Sequence, residues 1–293
     1  IAPPAKTHSK EPQAIAFVWP ISGSEMPDLP QSSPYGPRLK ASEDFRYDYH
    51  QGIDIPTPIS TTLVAVTTGT IRIAGSHPLY SDGVVQLDHG NGLYSNYIHI
   101  TASLVVTGQV VGMGEPIALS GVSASGFPHL HFEIREGSVF RRDAVTPWHY
   151  LPYSDTISHT VAITEVLSTG AVWVQVTTPA HELDIQQITV TVRRQGDNHL
   201  LKQQVLDYET RNKAYGGDPA VLDMPDLDGI LVQPHAFTTP ATLYVVDVQF
   251  HDVFALGPVH IEACALDVHS NHVCTTTSGV YGINLYLPLI RIP

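Results

Sequence analysis

Two short clusters in the first half of the sequence carry side chains able to do chemistry together. One is His50-Gln51-Gly52-Ile53-Asp54 and the other is His129-Leu130-His131-Phe132-Glu133. Two imidazoles and a carboxylate form a donor set that holds a tetrahedral zinc ion and leaves one position open for water. A further imidazole beside them can move protons. Together these residue types point to hydrolysis by a metal-activated water.

Strand alternation would present these groups. In an extended segment His129, His131 and Glu133 share one face, while Leu130, Phe132 and Ile134 share the other. The apolar face predicts an anchor in a core. The polar face predicts a cleft, where a metal and its water satisfy imidazoles that would be costly to bury without partners. Around the first cluster, Gly52, Ile53, Ile55 and Pro56 argue against helix. Positions 50, 52 and 54 are therefore expected to line one side of an extended segment, with Gly52 leaving room for the ion. In Tyr97-Ile98-His99-Ile100, Tyr97 and His99 are expected on the polar side and the isoleucines behind them.

Other motifs carry less. His181-Glu182-Leu183-Asp184 lacks the second histidine of an HExxH helix, so a glutamate base is not expected. Glu133 reads as an orienter behind the metal or, equally, as a solvated strand residue. Arg38 is a candidate for binding a substrate carboxylate, although a surface arginine is the plainer reading. Gly121-Val122-Ser123-Ala124-Ser125 misses the nucleophile elbow at its last position. Asp223, Asp226 and Asp228 miss the register of a calcium loop. His77, His89 and His149 are expected as ordinary surface or turn residues.

Composition favours an all-β protein. The sequence has 293 residues, 43% of them apolar and 15% charged, with 22 glycines and 23 prolines. Abundant Val, Thr and Ile between such turn formers predicts many short strands. Strands are expected over 62–66, 69–74, 84–88, 94–100 and 129–135, with Asn91-Gly92 as a hairpin turn. Ala102–Leu104 is expected as a single short turn. A net charge of −13 argues against nucleic acid, which needs a basic face. No apolar run approaches the roughly 18 residues of a transmembrane helix.

Residues 1–14 read as a loose polar tail, 15–154 as the domain that carries the two clusters and 155–293 as a second domain. The junction runs through Pro147-Trp148-His149-Tyr150-Leu151-Pro152-Tyr153, whose aromatics predict a packed connection. Alternating runs at 161–166, 171–177, 188–193, 243–250 and 259–267 then suggest a β-sandwich. Cys264 and Cys274 are the two cysteines, both in strand-like sequence around Val268-His269-Ser270-Asn271. A hairpin disulfide is expected there, stabilising by roughly 3 kcal/mol in the chain-entropy model and favouring an oxidising compartment. The sequence starts Ile1-Ala2-Pro3-Pro4, read as following either removal of a signal peptide or trimming, so a periplasmic or secreted location is expected.

The conjunction of HxxxD at His50 and Asp54, HxH at His129 and His131, and a strand histidine at His99 after Tyr97 resembles the lysostaphin-type (LytM-domain) zinc metallopeptidases. Val18-Trp19-Pro20-Ile21-Ser22-Gly23 and Tyr35-Gly36-Pro37-Arg38 are also similar to the start of that family, so the resemblance covers residues 16–150. It implies an antiparallel catalytic sheet with one Zn2+ per chain, held by His50, Asp54 and His131. It further implies that His129 is the general base, with His99 its partner in polarising water and steadying the oxyanion. The implied reaction is cleavage of peptide cross-links in bacterial peptidoglycan, or of a related glycine- or D-alanine-bearing peptide. Two departures stand out: the more polar Ser95-Asn96, and an insertion over 39–49 that could reshape one wall of the groove. The second half resembles bacterial Ig-like domains around Ala265-Leu266-Asp267 and Asn271, which implies a spacer or a contact with wall or protein. Against the peptidase stand a metal-binding but non-hydrolytic regulator or wall-binding protein, and a peptidase aimed at glycine-rich proteins.

Overall fold

The computed structural model describes residues 16–23, 33, 35–40, 46–124, 126–153, 159–166, 171–179, 185–207, 232–234, 241–249 and 258–280. The 1–14 tail, the His181 segment and the Asp223–Asp228 segment lie outside the described residues. In the first half the strands are β1 (Gly36–Lys40), β2 (Arg46–His50), β3 (Ile53–Pro56), β4 (Thr62–Val64), β5 (Gly69–His77), β6 (Tyr80–Gly90), β7 (Leu93–Ile98), β8 (Ile100–Ser103), β9 (Val110–Val111), β10 (Pro116–Val122), β11 (Pro128–Glu136) and β12 (Ala144–Val145). Helical structure among the described residues is confined to short 3-10 turns at Arg141–Asp143 and Pro147–His149. The fold is all-β, as the composition predicts. The expected turn at Ala102–Leu104 is instead the end of β8 and the residue after it, because Ala102 and Ser103 pair with Leu119 and Ala118 of β10.

Strand β11 organises the first half. Along one edge it pairs with β3 and then β12, and along the other with β10 and then β7. The order β4-β10-β11-β7-β6-β5-β9 continues the sheet. Leu130, Phe132 and Ile134 are fully buried, as are Ile53 and Ile55 on β3. Burying such side chains is worth about 1.5–3 kcal/mol each, so this packing fixes the face of β11 that carries the histidines. Strands β1 and β2 form a separate antiparallel pair, with Gly36 opposite His50. Within the 39–49 segment, residues 41–45 lie outside the described residues.

In the second half, β13 (Thr160–Val166), β14 (Ala171–Pro179), β15 (Ile185–Arg194), β16 (Leu200–Asp207), β17 (Val232–Pro234), β18 (Ala241–Gln249), β19 (Pro258–Asp267) and β20 (His272–Val280) form two antiparallel sheets, ordered β13-β14-β18-β17 and β16-β15-β19-β20. Cys264 and Cys274 face each other across β19 and β20 and are joined by a disulfide with S–S 2.12 Å. The junction is packed: Trp148 and Leu151 are buried, and the Trp19 indole donates to the Pro152 carbonyl at 2.8 Å. Tyr153 stacks edge-on against both Trp148 and His269.

Candidate metal centre

Register builds the site. In the β3–β11 pairing Asp54 sits directly opposite His131, and Asp54 Oδ1 lies 2.8 Å from His131 Nδ1. His50, at the end of β2, brings Nε2 to 3.1 Å from the same oxygen and 2.9 Å from His131 Nδ1. Two imidazole nitrogens that close are satisfied only when a proton or a cation lies between them. Zinc bonds of about 2.0–2.1 Å set tetrahedral donor atoms roughly 3.3–3.4 Å apart, so this triangle needs to widen by only a few tenths of an ångström. The buried His/Asp cluster thus fits a zinc ion in both donor chemistry and spacing.

Residues 50–54 do not run as one extended segment. A bend at Gln51 and Gly52 separates β2 from β3, so alternation fails there and the bend itself swings His50 towards Asp54. Gly52 is needed for a reason other than the one expected. A Cβ at this position would lie 2.3 Å from the Phe132 carbonyl oxygen, so the glycine admits the β11 backbone, not the ion.

Behind His131 lies a buried polar chain. His131 Nε2 donates to Glu133 Oε1 at 3.0 Å, which leaves Nδ1 for the cluster. Glu133 Oε2 accepts from Asn96 Nδ2 at 3.2 Å and from Arg135 Nε at 2.8 Å. Gln86 donates to Asn96 at 2.6 Å, and Arg135 donates on to the Tyr80 hydroxyl and the Val139 carbonyl. Glu133 and Arg135 are 1% and 2% exposed, so Glu133 is a buried partner of the cluster and not a solvated strand residue.

These contacts shift the protonation equilibria. Burial opposes the charged form of His131, but the hydrogen bonds and charges of Asp54 and Glu133 outweigh it and hold the imidazole up at about 9. Burial likewise raises Glu133, but Arg135 and His131 win and bring it down to about 2. Asp54 is held well below the carboxylate range, because the charges and hydrogen bonds of His50 and His131 overcome its desolvation.

Two more histidines flank the cluster. His129 Nδ1 donates to the Phe127 carbonyl at 2.9 Å, and its Nε2 lies 3.6 Å from Asp54 Oδ1. The His99 ring stands 4.7 Å from that of His129 and 6.0 Å from that of His131, centroid to centroid. His99 Nδ1 donates to Asp82 Oδ2 at 3.0 Å. Burial and the neighbouring His131 and His129 charges push His99 down to about 4, against the opposing pull of Asp54 and Asp82.

Tyr97 does not share the side of His99. It is fully buried in the main core, edge-on to Phe132, and its hydroxyl accepts the Val66 N–H at 2.8 Å. Ile98 packs in a separate small cluster with Tyr80 and Val84, whereas Ile100 joins the main core. His99 falls between β7 and β8 with φ +63°, and that left-handed residue interrupts the alternation. Arg38 lies on β1, but its side chain is outside the described residues.

His89 is more engaged than a loose turn residue: Nδ1 donates to the Thr68 carbonyl at 2.9 Å, and Nε2 meets Ser95 Oγ at 2.8 Å. The polar Ser95-Asn96 departure therefore has a structural account, because Ser95 holds His89 and Asn96 holds Glu133. Sequence reasoning missed Asp82, Gln86, Asn96 and Arg135 as members of the site. Asn96 carried a signal as a polar departure in its strand, and Arg135 carried one by continuing the alternation of His129, His131 and Glu133.

Residues 48–147, roughly a third of the chain, match Peptidase family M23, and all the histidines of the site fall within that stretch. Peptidoglycan DD-endopeptidase ShyA of Vibrio cholerae is 35% identical over 105 residues, covering 35% of this chain and 24% of that protein. DD-carboxypeptidase/endopeptidase Mpg of Neisseria meningitidis is also 35% identical over 105 residues, covering 36% of this chain and 24% of its own. The chain thus spans about a quarter of the length of these curated relatives. Among solved structures, the catalytic domain of the antimicrobial peptidase lysostaphin from Staphylococcus simulans aligns at 26% identity with a TM-score of 0.38, over 41% of this chain and 90% of that one. The first half of the chain is similar to the M23 zinc metallopeptidases in sequence, over the same residues that carry the buried cluster.

Proposed function

We propose that this chain is a zinc-dependent endopeptidase that hydrolyses peptide cross-links of bacterial peptidoglycan, with one zinc ion held by His50, Asp54 and His131. The observation that carries the reading is the convergence of those three donor atoms beside a histidine whose Nδ1 is already engaged. Bound there, zinc activates water for attack and polarises the scissile carbonyl. His129 accepts the proton of the attacking water at Nε2 and passes it to the leaving amine. His99 stands against His129 and completes the wall on which the water is oriented. Glu133 keeps the His131 ring turned so that Nδ1 faces the ion.

The names of the relatives favour D-alanine-bearing cross-links as the substrate class. The proposed division is a peptidase domain over 15–154 and an Ig-like sandwich over 155–293 that spaces the peptidase or contacts wall or protein. A periplasmic or secreted location is consistent with the disulfide. No helix among the described residues is long and apolar enough to cross a membrane.

The test is zinc stoichiometry by elemental analysis, together with mass spectrometry of products from intact sacculi. One zinc per chain and release of new amines at peptide cross-links are expected. Zinc-loaded protein that releases no amine from sacculi or from short D-alanine and glycine peptides would sink the enzyme reading in favour of a regulator. Cleavage of glycine-rich protein alone would redirect the substrate class.

A further inference from the structure

Asp82 is a carboxylate beside the site that neither joins the donor triangle nor backs it. It sits on β6, next to Gly83 at φ +77°. A Cβ on Gly83 would lie 3.0 Å from both the carbonyl oxygen and Cγ1 of Ile100. His99 has φ +63°, a left-handed conformation that an ordinary residue rarely adopts. Gly83 on β6 and His99 between β7 and β8 are thus both left-handed, and beside them Asp82 Oδ2 meets His99 Nδ1 at 3.0 Å. The side chains are 20% and 19% exposed, at the rim of the site.

The same Asp82 oxygen that receives His99 Nδ1 also accepts the Ala124 N–H, at 3.2 Å. Ala124 opens the turn that leads to Phe127. The Phe127 carbonyl accepts the Ser123 N–H at 3.2 Å, the Ser123 hydroxyl at 3.3 Å and His129 Nδ1 at 2.9 Å. Gly126 N–H closes the turn on the Ser123 carbonyl at 2.8 Å. One carboxylate oxygen therefore reaches both histidines outside the donor triangle: His99 directly, and His129 through the turn whose carbonyl holds it. Gly121 allows this closeness, since a Cβ there would lie 2.7 Å from the His99 carbonyl oxygen.

We propose that Asp82 is a positioning residue that fixes His99 as the Nδ1–H tautomer and ties it to the turn that sets the same tautomer in His129. A carboxylate accepts and does not donate, so neutral His99 must carry its proton on Nδ1 and present a lone pair at Nε2. His129 is held in the same state by a carbonyl, which also only accepts. Both imidazoles would then present an acceptor nitrogen to a water at this site. The inference rests on the endopeptidase reading for its catalytic consequence, but not for the tautomer itself.

The experiment compares the full chain with Asp82→Ala and Asp82→Asn. Long-range proton–nitrogen spectra of histidine-labelled protein report the tautomer, with the His99 signals assigned by their loss in His99→Gln. In the parent chain His99 is expected to carry its proton on Nδ1. Asp82→Ala should move it to a mixture or to Nε2–H, whereas Asp82→Asn, which keeps an acceptor oxygen, should retain much of the Nδ1–H form. Zinc stoichiometry should stay at one in both, since no donor atom of the triangle touches Asp82. With sacculi as substrate, kcat should fall about 10- to 100-fold in Asp82→Ala, with KM little changed and partial recovery in Asp82→Asn. An unchanged His99 tautomer in Asp82→Ala, or kcat within twofold of the parent, would overturn the proposal. If Asp82→Ala does not fold, the tautomer in the parent and in Asp82→Asn still decides, because Nε2–H in the parent overturns the proposal by itself. If the parent cleaves nothing, the endopeptidase reading fails while the tautomer result stands separately.

Discussion

The two flanks of the candidate centre use the same side chain in opposite ways. Behind the cluster, His131 is backed by a buried chain of charges and amides: Glu133, Arg135, Asn96 and Gln86. On the open flank, His129 rests on a backbone carbonyl and His99 on a carboxylate that is 20% exposed. His131 is held up at about 9 and His99 is pushed down to about 4, although their rings are 6.0 Å apart. The difference teaches what each flank can do. A site rich in buried negative charge attracts a cation, whether a proton or a metal ion. A histidine pushed down towards 4 is neutral near neutral pH and presents a lone pair as a hydrogen-bond acceptor.

Removing one histidine from each flank is the most forceful way to break this division. His131→Ala should lose both zinc and amine release from sacculi. His129→Ala should keep one zinc per chain yet lose activity by about 10²- to 10⁴-fold, the range for a general base. Elemental analysis beside a product assay reads both effects. Loss of zinc in His129→Ala would place that residue among the ligands and erase the distinction between the flanks.

Arg135→Met probes the buried flank without touching a donor atom. It removes the guanidinium from the Glu133 carboxylate in a site 1% exposed, leaving His131 and Asn96 as its partners, and breaking a buried pair in this way costs about 3–5 kcal/mol. Urea unfolding should show the loss. The double variant Glu133→Leu with Arg135→Met should recover stability but bind zinc more weakly, because His131 loses its orienter. A single variant within 1 kcal/mol of the parent, as an order of magnitude, would mean the pair does not hold the flank together.

How much of this was legible in the sequence depends on what sets each contact. The polar face of β11 was legible, because strand alternation alone places His129, His131 and Glu133 together and Leu130, Phe132 and Ile134 in the core. The disulfide was legible for a similar local reason, as Cys264 and Cys274 flank one hairpin. The alternation argument failed where the backbone leaves the pleat, at the Gln51-Gly52 bend and at left-handed His99, and so it misplaced Tyr97. Arg135 shares the alternating face of β11 two residues after Glu133 and was legible by the alternation rule. Asp82 and Gln86 were illegible because antiparallel register, which no spacing along the chain encodes, brings them to the site. The same limit applied to β1, β10 and β20, whose short or polar sequences show little alternation and are fixed by their neighbours.

The subtlest expected effect is the pH dependence of the zinc-free chain, and it sharpens the contrast most. His131 has a folded value near 9, above its ordinary 6.5, so its contribution is complete below 6.5 and is lost as pH rises towards 9. Glu133 has a folded value near 2, below its ordinary 4.5, so its contribution is complete above 4.5 and is lost as pH falls towards 2. From this pair the zinc-free chain is most stable between 4.5 and 6.5. Thermal midpoints taken in chelator across that range and up to 9 should fall on the alkaline side, with the fall reduced in His131→Asn. Zinc binding takes the place of the proton on Nδ1, so the loaded chain should lose the alkaline decline and melt higher throughout. An equal decline with and without zinc would show that the proton lost between 6.5 and 9 does not sit where the ion binds. The buried charges would then serve the core, and the open flank would have to hold the metal.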